Sequence, residues 1–141
     1  TKMGTRCTGA GGFIDITQNA KKVVFLGTFT AGGAKYKFEN RKLEILQEGK
    51  IRKMVRQVAQ LSFNGPMARK KGQEVMVVTE RAVFQLVKDG VELIEIAPGI
   101  DLRTQILDKM DFKPIISKNL RVMDERLFVQ DGPFGLKLKE K

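Results

Sequence analysis

The sequence predicts an α/β lobe, rich in strands, built on a mixed or parallel sheet with β-hairpins. Three observations predict it. Val23-Val24-Phe25-Leu26 and Val75-Met76-Val77-Val78-Thr79 are continuous apolar runs. They are short and rich in β-branched residues, as strands covered on both faces are. Segments on either side of Asn40-Arg41 and of Asp89-Gly90 read as paired strands joined by tight turns, the pattern of hairpins. Leu102, Ile106 and Met110, with Leu107 beside them, lie at helical spacing.

Taken in order, residues 13–19 pass from apolar to polar and lead into Lys21-Lys22. Val23 to Leu26 is a buried strand ended by Gly27, and Thr28 to Gly33 is a loop. Tyr36 and Phe38 then face one way, with Lys35, Lys37 and Glu39 the other. Leu43 and Ile45 repeat the alternation, giving an antiparallel hairpin with one wet face. The stretch from Ile51 to Phe63 stays open. Met54, Val55, Val58 and Leu61 fit a helix, whereas Val58, Leu61 and Phe63 fit a strand. Asn64-Gly65-Pro66 ends it. Val75 to Thr79 is a second buried strand and Ala82 to Val87 a third. Asp89-Gly90 makes a type I′ turn, with φ > 0 at both central positions. Val91 to Ile96 returns with both faces covered. Pro98-Gly99 breaks the chain, and Asp101 caps a helix of about ten residues that Lys113-Pro114 ends. The remainder, with Asp131-Gly132-Pro133-Phe134-Gly135, reads as loop and tail.

Composition narrows the function. The chain has 141 residues, 42% of them hydrophobic, which suits one lobe, residues 1–141, with a real core. No run approaches the ~20 apolar residues that span a bilayer, so no membrane partner is expected. No signal peptide is visible. The single Cys7 cannot form an intramolecular disulfide, which favours a reducing compartment and a cytoplasmic protein. Residue 1 is Thr rather than an initiator Met, so the chain is read as cut from something longer. There is no His. That excludes Ser-His and Cys-His catalysis from this segment alone, and with one Cys it excludes a structural zinc site. No metal is expected.

The net charge is +10. Basic residues fall in three groups: Lys50, Arg52, Lys53 and Arg56; Arg69, Lys70 and Lys71; and Lys137, Lys139 and Lys141. Solvated surface is the ordinary reading of such groups. Attraction for nucleic acid or a phosphate-bearing small molecule is the functional one. Interspersed carboxylates break any continuous basic stripe.

The most informative motif is Thr8-Gly9-Ala10-Gly11-Gly12-Phe13-Ile14-Asp15. Three glycines in four positions let backbone N–H groups approach a phosphate or an oxyanion. The dinucleotide fingerprint fails, because Ile14 stands where its last glycine belongs, and no phosphate loop of the Gly-x4-Gly-Lys-Ser/Thr type occurs. Alone, the run defaults to a tight turn. Asp15 either orients that turn by accepting N–H bonds or serves as a catalytic acid, and a lone carboxylate more often has the structural job. Glu80-Arg81, between two buried strands, reads as a structural charge pair.

Several segments together resemble a known family. Gly11-Gly12-Phe13-Ile14-Asp15-Ile16, Lys22-Val23-Val24-Phe25, Thr79-Glu80-Arg81-Ala82-Val83-Phe84, Leu93-Ile94-Glu95-Ile96-Ala97-Pro98-Gly99-Ile100-Asp101 and Asp111-Phe112 occur in order. This resembles the carboxyl-terminal part of a family I coenzyme A transferase, of the fused acetate/propionate or acetoacetate type. It is similar, more distantly, to succinyl-CoA:3-ketoacid CoA transferase. The likeness is strong over residues 1–112 and weak over the tail, 113–141.

The resemblance implies the beta-subunit-like half of the transferase fold and a place in short-chain fatty acid or ketone body metabolism. It implies acyl-CoA and carboxylate substrates, with CoA a substrate and no permanently bound cofactor. It implies a homo-oligomer, dimer or tetramer, and a need for the rest of the transferase chain. A glutamate attacks the acyl-CoA, and a glutamyl-CoA thioester follows from the anhydride. Gly12 then corresponds to the residue whose N–H stabilises the oxyanion beside that thioester. Gly11 and Gly12 form the CoA-facing turn, and Asp15 supports it. The nucleophile belongs to a Glu-x-Gly type motif upstream of the turn. Glu39-Asn40 and Glu48-Gly49 lie downstream and do not fit, so the nucleophile is expected outside this chain and the segment alone is expected to be inactive. If upstream strands of the sheet are missing, apolar surface should be exposed. The alternative is a stand-alone basic nucleic-acid-binding module. Its weakness is the aromatic pattern, since Tyr36 and Phe38 are the only nearby pair.

Overall fold

A computed structural model describes residues 9–58 and 61–129. Along the chain, α1 (Phe13–Asn19) leads to β1 (Lys22–Leu26), β2 (Thr30–Ala31), β3 (Lys35–Glu39), β4 (Lys42–Gln47) and β5 (Ile51–Arg52). Then come α2 (Gly65–Lys70), β6 (Glu74–Val78), β7 (Ala82–Val87), β8 (Gly90–Ile96), α3 (Leu102–Gln105) and β9 (Ile115–Val122). Single 3₁₀ turns occupy Leu107–Lys109 and Glu125–Leu127.

Five strands form one mixed sheet in the order β1-β6-β7-β8-β9. The outer pairs, β1 with β6 and β8 with β9, are parallel, and the two inner pairs are antiparallel. Parallel neighbours need a crossover. The first crossover carries β2 to β5 and α2, and the second carries α3. The expected mixed sheet is therefore present. The expected hairpin is also present: β3 and β4 pair with Tyr36 opposite Ile45 and Phe38 opposite Leu43. The core gathers Phe29, Leu43, Phe84, Leu93 and Ile106, all fully buried.

Five expectations are corrected. β1 is an edge strand, and only Val23 in it is buried, because β6 covers one side alone. The open stretch after Ile51 is neither a long strand nor a long helix. It gives two residues of β5 paired with β2, then irregular chain. Asn64-Gly65-Pro66 starts a helix instead of closing a segment. Asn64 accepts the Met67 N–H at 3.0 Å and Pro66 lies in the first turn of α2, where its missing N–H costs nothing.

The type I′ dihedrals fall at Asn40 (φ 51°) and Arg41 (φ 58°), in the β3–β4 turn. In the β7–β8 hairpin only Gly90 has positive φ (149°), and it already pairs with Val87. The helix after Asp101 is four residues, not about ten. Asp101 does cap it, accepting Thr104 N–H at 2.7 Å. At Ile106 the backbone turns to φ −120°, ψ −68° and continues as a 3₁₀ turn. Ile106 and Met110 are still buried. Spacing by four thus marked the buried side chains correctly while overstating the regular helix. Finally, residues 113–141 are not all tail: β9 adds an eight-residue edge strand parallel to β8. The Asp131 to Gly135 segment lies outside the described residues.

Candidate functional site

The glycine turn sits at the carboxyl end of β1. Only Ala20 and Lys21 separate α1 from β1, so the helix must fold back along the strand. The Phe13 and Phe25 rings lie 5.9 Å apart, and Phe25 meets Phe63 edge-on at 5.2 Å. The start of α1 therefore packs over the end of β1. The other end of α1 is held by Gln73, whose amide donates to Thr17 O and Ala20 O at 2.6 and 2.5 Å. In sheets of this kind the carboxyl ends of parallel strands are where ligands bind.

Gly11 adopts φ 54°, which lets the chain reverse before Gly12 caps α1. The Phe13 N–H is used internally, donating to Ala10 O at 3.2 Å. The Gly12 N–H has no backbone acceptor among the described residues. Gly9, Gly11 and Gly12 are all exposed. A Cβ added at Gly12 would meet only Ile16 Cδ1 at 3.5 Å, an ordinary contact. Internal packing gives no reason for glycine there, so any reason lies in what approaches from outside. Asp15 is in the first turn of α1 and exposed, and no side chain caps that helix. Its backbone carbonyl accepts the Asn19 side-chain amide at 2.8 Å.

The carboxylates downstream of the turn are occupied. Glu39 pairs with Lys37 at 2.7 Å on the exposed face of the hairpin. Glu48 is locked to Arg81, which is fully buried. Arg81 donates to Glu48 Oε2 and Oε1 at 2.8 and 3.0 Å, to Glu80 Oε1 at 2.8 Å and to Gln105 O at 3.1 Å. Its guanidinium carbon lies 4.9 Å from the centre of the Phe29 ring. Burial pushes the Glu48 carboxyl up, but hydrogen bonds from Arg81 and Thr30, the Arg81 charge and the Gly49 N–H outweigh it and hold it at about 2. A carboxylate so stabilised is a poor nucleophile. Glu80 reaches the other way and accepts the Phe29 N–H at 2.8 Å. Thr30 Oγ1 donates to Glu48 and accepts the Gly49 N–H at 3.1 Å. Buried arginine, two carboxylates and a threonine thus pin the loop that leaves β1.

The sequence marked Glu80-Arg81 as a structural pair, and the geometry agrees. It did not reveal Glu48 or Thr30 as partners. The contacts join residues 33 and 51 positions apart, and no local pattern encodes them. The signal that existed was a charged pair at a fully buried strand start, which requires further partners.

Known proteins resemble this segment in sequence and fold together, and the chain belongs with the coenzyme A transferases. It is 50% identical over 139 residues to acetate CoA-transferase YdiF of Escherichia coli K12, covering 99% of this chain and 26% of that protein. It is 49% identical over 126 residues to caffeate CoA-transferase of Acetobacterium woodii, covering 89% of this chain and 24% of that one. The crystal structure of the acyl-CoA transferase YdiF of E. coli O157:H7, in a thioester complex with CoA, superposes with a TM-score of 0.92 at 49% identity. The match covers 99% of this chain and 27% of that one. No family model matches the chain. The chain spans about a quarter of the length of the curated relatives it matches.

Proposed function

We propose that residues 1–141 are the carboxyl-terminal portion of a longer CoA-transferase. That enzyme moves CoA between an acyl-CoA and a short-chain carboxylic or 3-keto acid. The observation that carries this reading is the agreement of sequence and fold with CoA-transferases across 99% of the chain.

In this reading a glutamate carboxylate outside the segment attacks the acyl-CoA carbonyl and expels CoA thiolate, leaving an acyl–glutamyl anhydride. The thiolate then attacks the glutamyl carbonyl, releasing the acid and forming a glutamyl-CoA thioester. The acceptor acid reverses both steps. Each tetrahedral intermediate places negative charge on one oxygen. The Gly12 N–H, exposed and without a described backbone acceptor, is the donor for that oxygen. One such donor is worth about 3 kcal/mol. Gly11 supplies the positive φ that aims the turn, and Asp15 supports it from the first turn of α1.

The downstream glutamates support a nucleophile elsewhere, since Glu39 and Glu48 are both ion-paired. CoA is a substrate here and no cofactor stays bound. The remaining partners are the rest of the transferase chain and a second copy of the enzyme. Among the described residues no helix is long and apolar enough to cross a membrane, and a cytoplasmic place is part of the proposal. So is a role in short-chain acid or ketone body metabolism. Nothing favours the nucleic-acid reading: Arg52, Arg41 and Arg121 of the basic set are each paired with a carboxylate.

The test is transfer of CoA from acetyl-CoA to a second acid. The longer protein transfers it, and the isolated segment does not. Transfer by the isolated segment would overturn the placement of the nucleophile.

A further inference from the structure

Lys53 stands apart from the other basic residues near it. Its neighbour Arg52 is engaged, with Asp111 Oδ1 at 3.0 Å and Asp108 O at 3.3 Å. Lys53 has no carboxylate partner among the described residues. Its only printed polar contact is Thr28 Oγ1, at 3.5 Å. Its ammonium nitrogen lies 3.0 Å from where a Cβ on Gly27 would stand. Any side chain at position 27 would therefore displace it.

The position of that ammonium matters. Gly27 continues β1, donating its N–H to Val78 O at 3.1 Å. Side chains alternate along a strand, so position 27 projects on the same face as Phe25, ~7 Å further on. Phe25 packs against Phe13, the residue that follows Gly12. Lys53 Nζ and the glycine turn thus share one face at one end of the sheet. The loop beneath them is fixed at its next two residues, Phe29 by Glu80 and Thr30 by Glu48, and both carboxylates are held by Arg81. An unpaired cation on a pinned loop is a site prepared for an anion.

We propose that Lys53, with Thr28 beside it, binds the carboxylate of the acid substrate next to the glycine turn. The inference rests on the transferase reading above. A CoA phosphate is the other anion in that reaction, but the pantetheine arm separates the phosphates from the reacting thioester. The Gly12 turn marks the thioester end, so the carboxylate is the anion within reach. The ammonium gains most from the full charge of the free acid and little from the neutral acyl carbonyl of the thioester.

The test compares Lys53→Met with the wild-type transferase that carries this segment. First, each protein is incubated with acetyl-CoA and its intact mass is read for a covalent CoA adduct. Second, KM is measured separately for acetate and for acetyl-CoA. The adduct forms in both proteins, and KM for acetate rises at least about tenfold in the variant, the loss of one charge-assisted contact. KM for acetyl-CoA changes less than about twofold. Lys50→Met, which removes a charge from the same basic group away from Gly27, leaves both constants unchanged. Gly27→Ala, which displaces the ammonium without removing it, reproduces the acetate defect. An adduct in both proteins with an unchanged acetate KM overturns the role of Lys53 alone. A rise in the acetyl-CoA KM as large as that for acetate overturns it in favour of a phosphate contact. Absence of an adduct in the wild type overturns the transferase reading and this inference with it.

Discussion

Arg81 and Glu48 meet as a two-pronged ion pair, with nitrogen–oxygen distances of 2.8 and 3.0 Å, although 33 residues separate them. The arginine side chain is wholly buried and the glutamate partly so. Burying the pair is costly, and the second carboxylate, Glu80, with Gln105 O, completes the donors' demand. The pair closes the first crossover onto the central sheet. It joins the end of the β3–β4 hairpin to the start of β7.

Removing Arg81 should therefore cost more than removing an ordinary surface cation. Arg81→Met leaves two carboxylates facing a dry pocket and should lower unfolding free energy by about 3–5 kcal/mol. Arg81→Lys restores the charge but not the planar fork, and should fall between. Urea unfolding followed by circular dichroism measures both. Tyr36 offers the contrast. Its hydroxyl is buried near Glu80 and Arg81 but makes no hydrogen bond of ordinary geometry. Tyr36→Phe removes an unsatisfied group, so its stability should match or exceed wild type.

Acid should attack the same pair. The Glu48 carboxyl is held at about 2, against 4.5 for an ordinary glutamate. A depressed folded-state value means that its stabilisation is fully present above pH ~4.5 and is lost as pH falls from there through ~2. Stability measured from pH 6 to pH 2.5 should decline below about pH 4.5. In Glu48→Gln that part of the decline should be missing. An identical acid profile for the two proteins would remove Glu48 from the account.

Gly49 should tolerate no side chain. Its N–H donates to Thr30 Oγ1, and a Cβ there would lie 2.5 Å from Ala31 O and 2.8 Å from Thr30 Oγ1. Most of that clash is with backbone, which cannot swing aside. Gly49→Ala should destabilise by about 1–3 kcal/mol, seen as a lowered thermal midpoint.

Gly12 should behave in the opposite way. It is exposed, its φ of −77° suits any residue, and a Cβ there touches only Ile16. Gly12→Val should leave the thermal midpoint of the full transferase unchanged or slightly raised. Turnover should fall by roughly 10²–10³-fold, because the side chain blocks the oxyanion from its donor. Steady-state kinetics beside a melting curve separates the two effects, and unchanged turnover would take Gly12 out of the site.

Local chemistry made much of the fold readable. Alternation gave the β3–β4 pairing, apolar runs gave β6 and β7, and Asp101 gave the cap of α3. What stayed hidden was set by neighbours distant in sequence. Val24 and Leu26 look as apolar as Val75 and Val77, yet Leu26 is 79% exposed because β1 is an edge. β9 was read as tail because its residues alternate weakly, with Lys118, Asn119 and Arg121 among the apolar ones, and its partner β8 lies across a crossover. The glycine turn was visible from residue types alone. Its place over the end of β1, beside Lys53, depends on Phe13 meeting Phe25 and on the small size of Gly27.

The central claim is that this segment supplies half of a transferase site whose nucleophile lies elsewhere. The direct measurement is peptide mapping of the covalent CoA adduct formed when the longer protein is incubated with acetyl-CoA. The adduct should fall on a glutamate outside residues 1–141, and Gly12→Val should reduce the rate of its formation. An adduct on Glu48, Glu39 or any other glutamate within residues 1–141 would contradict the account.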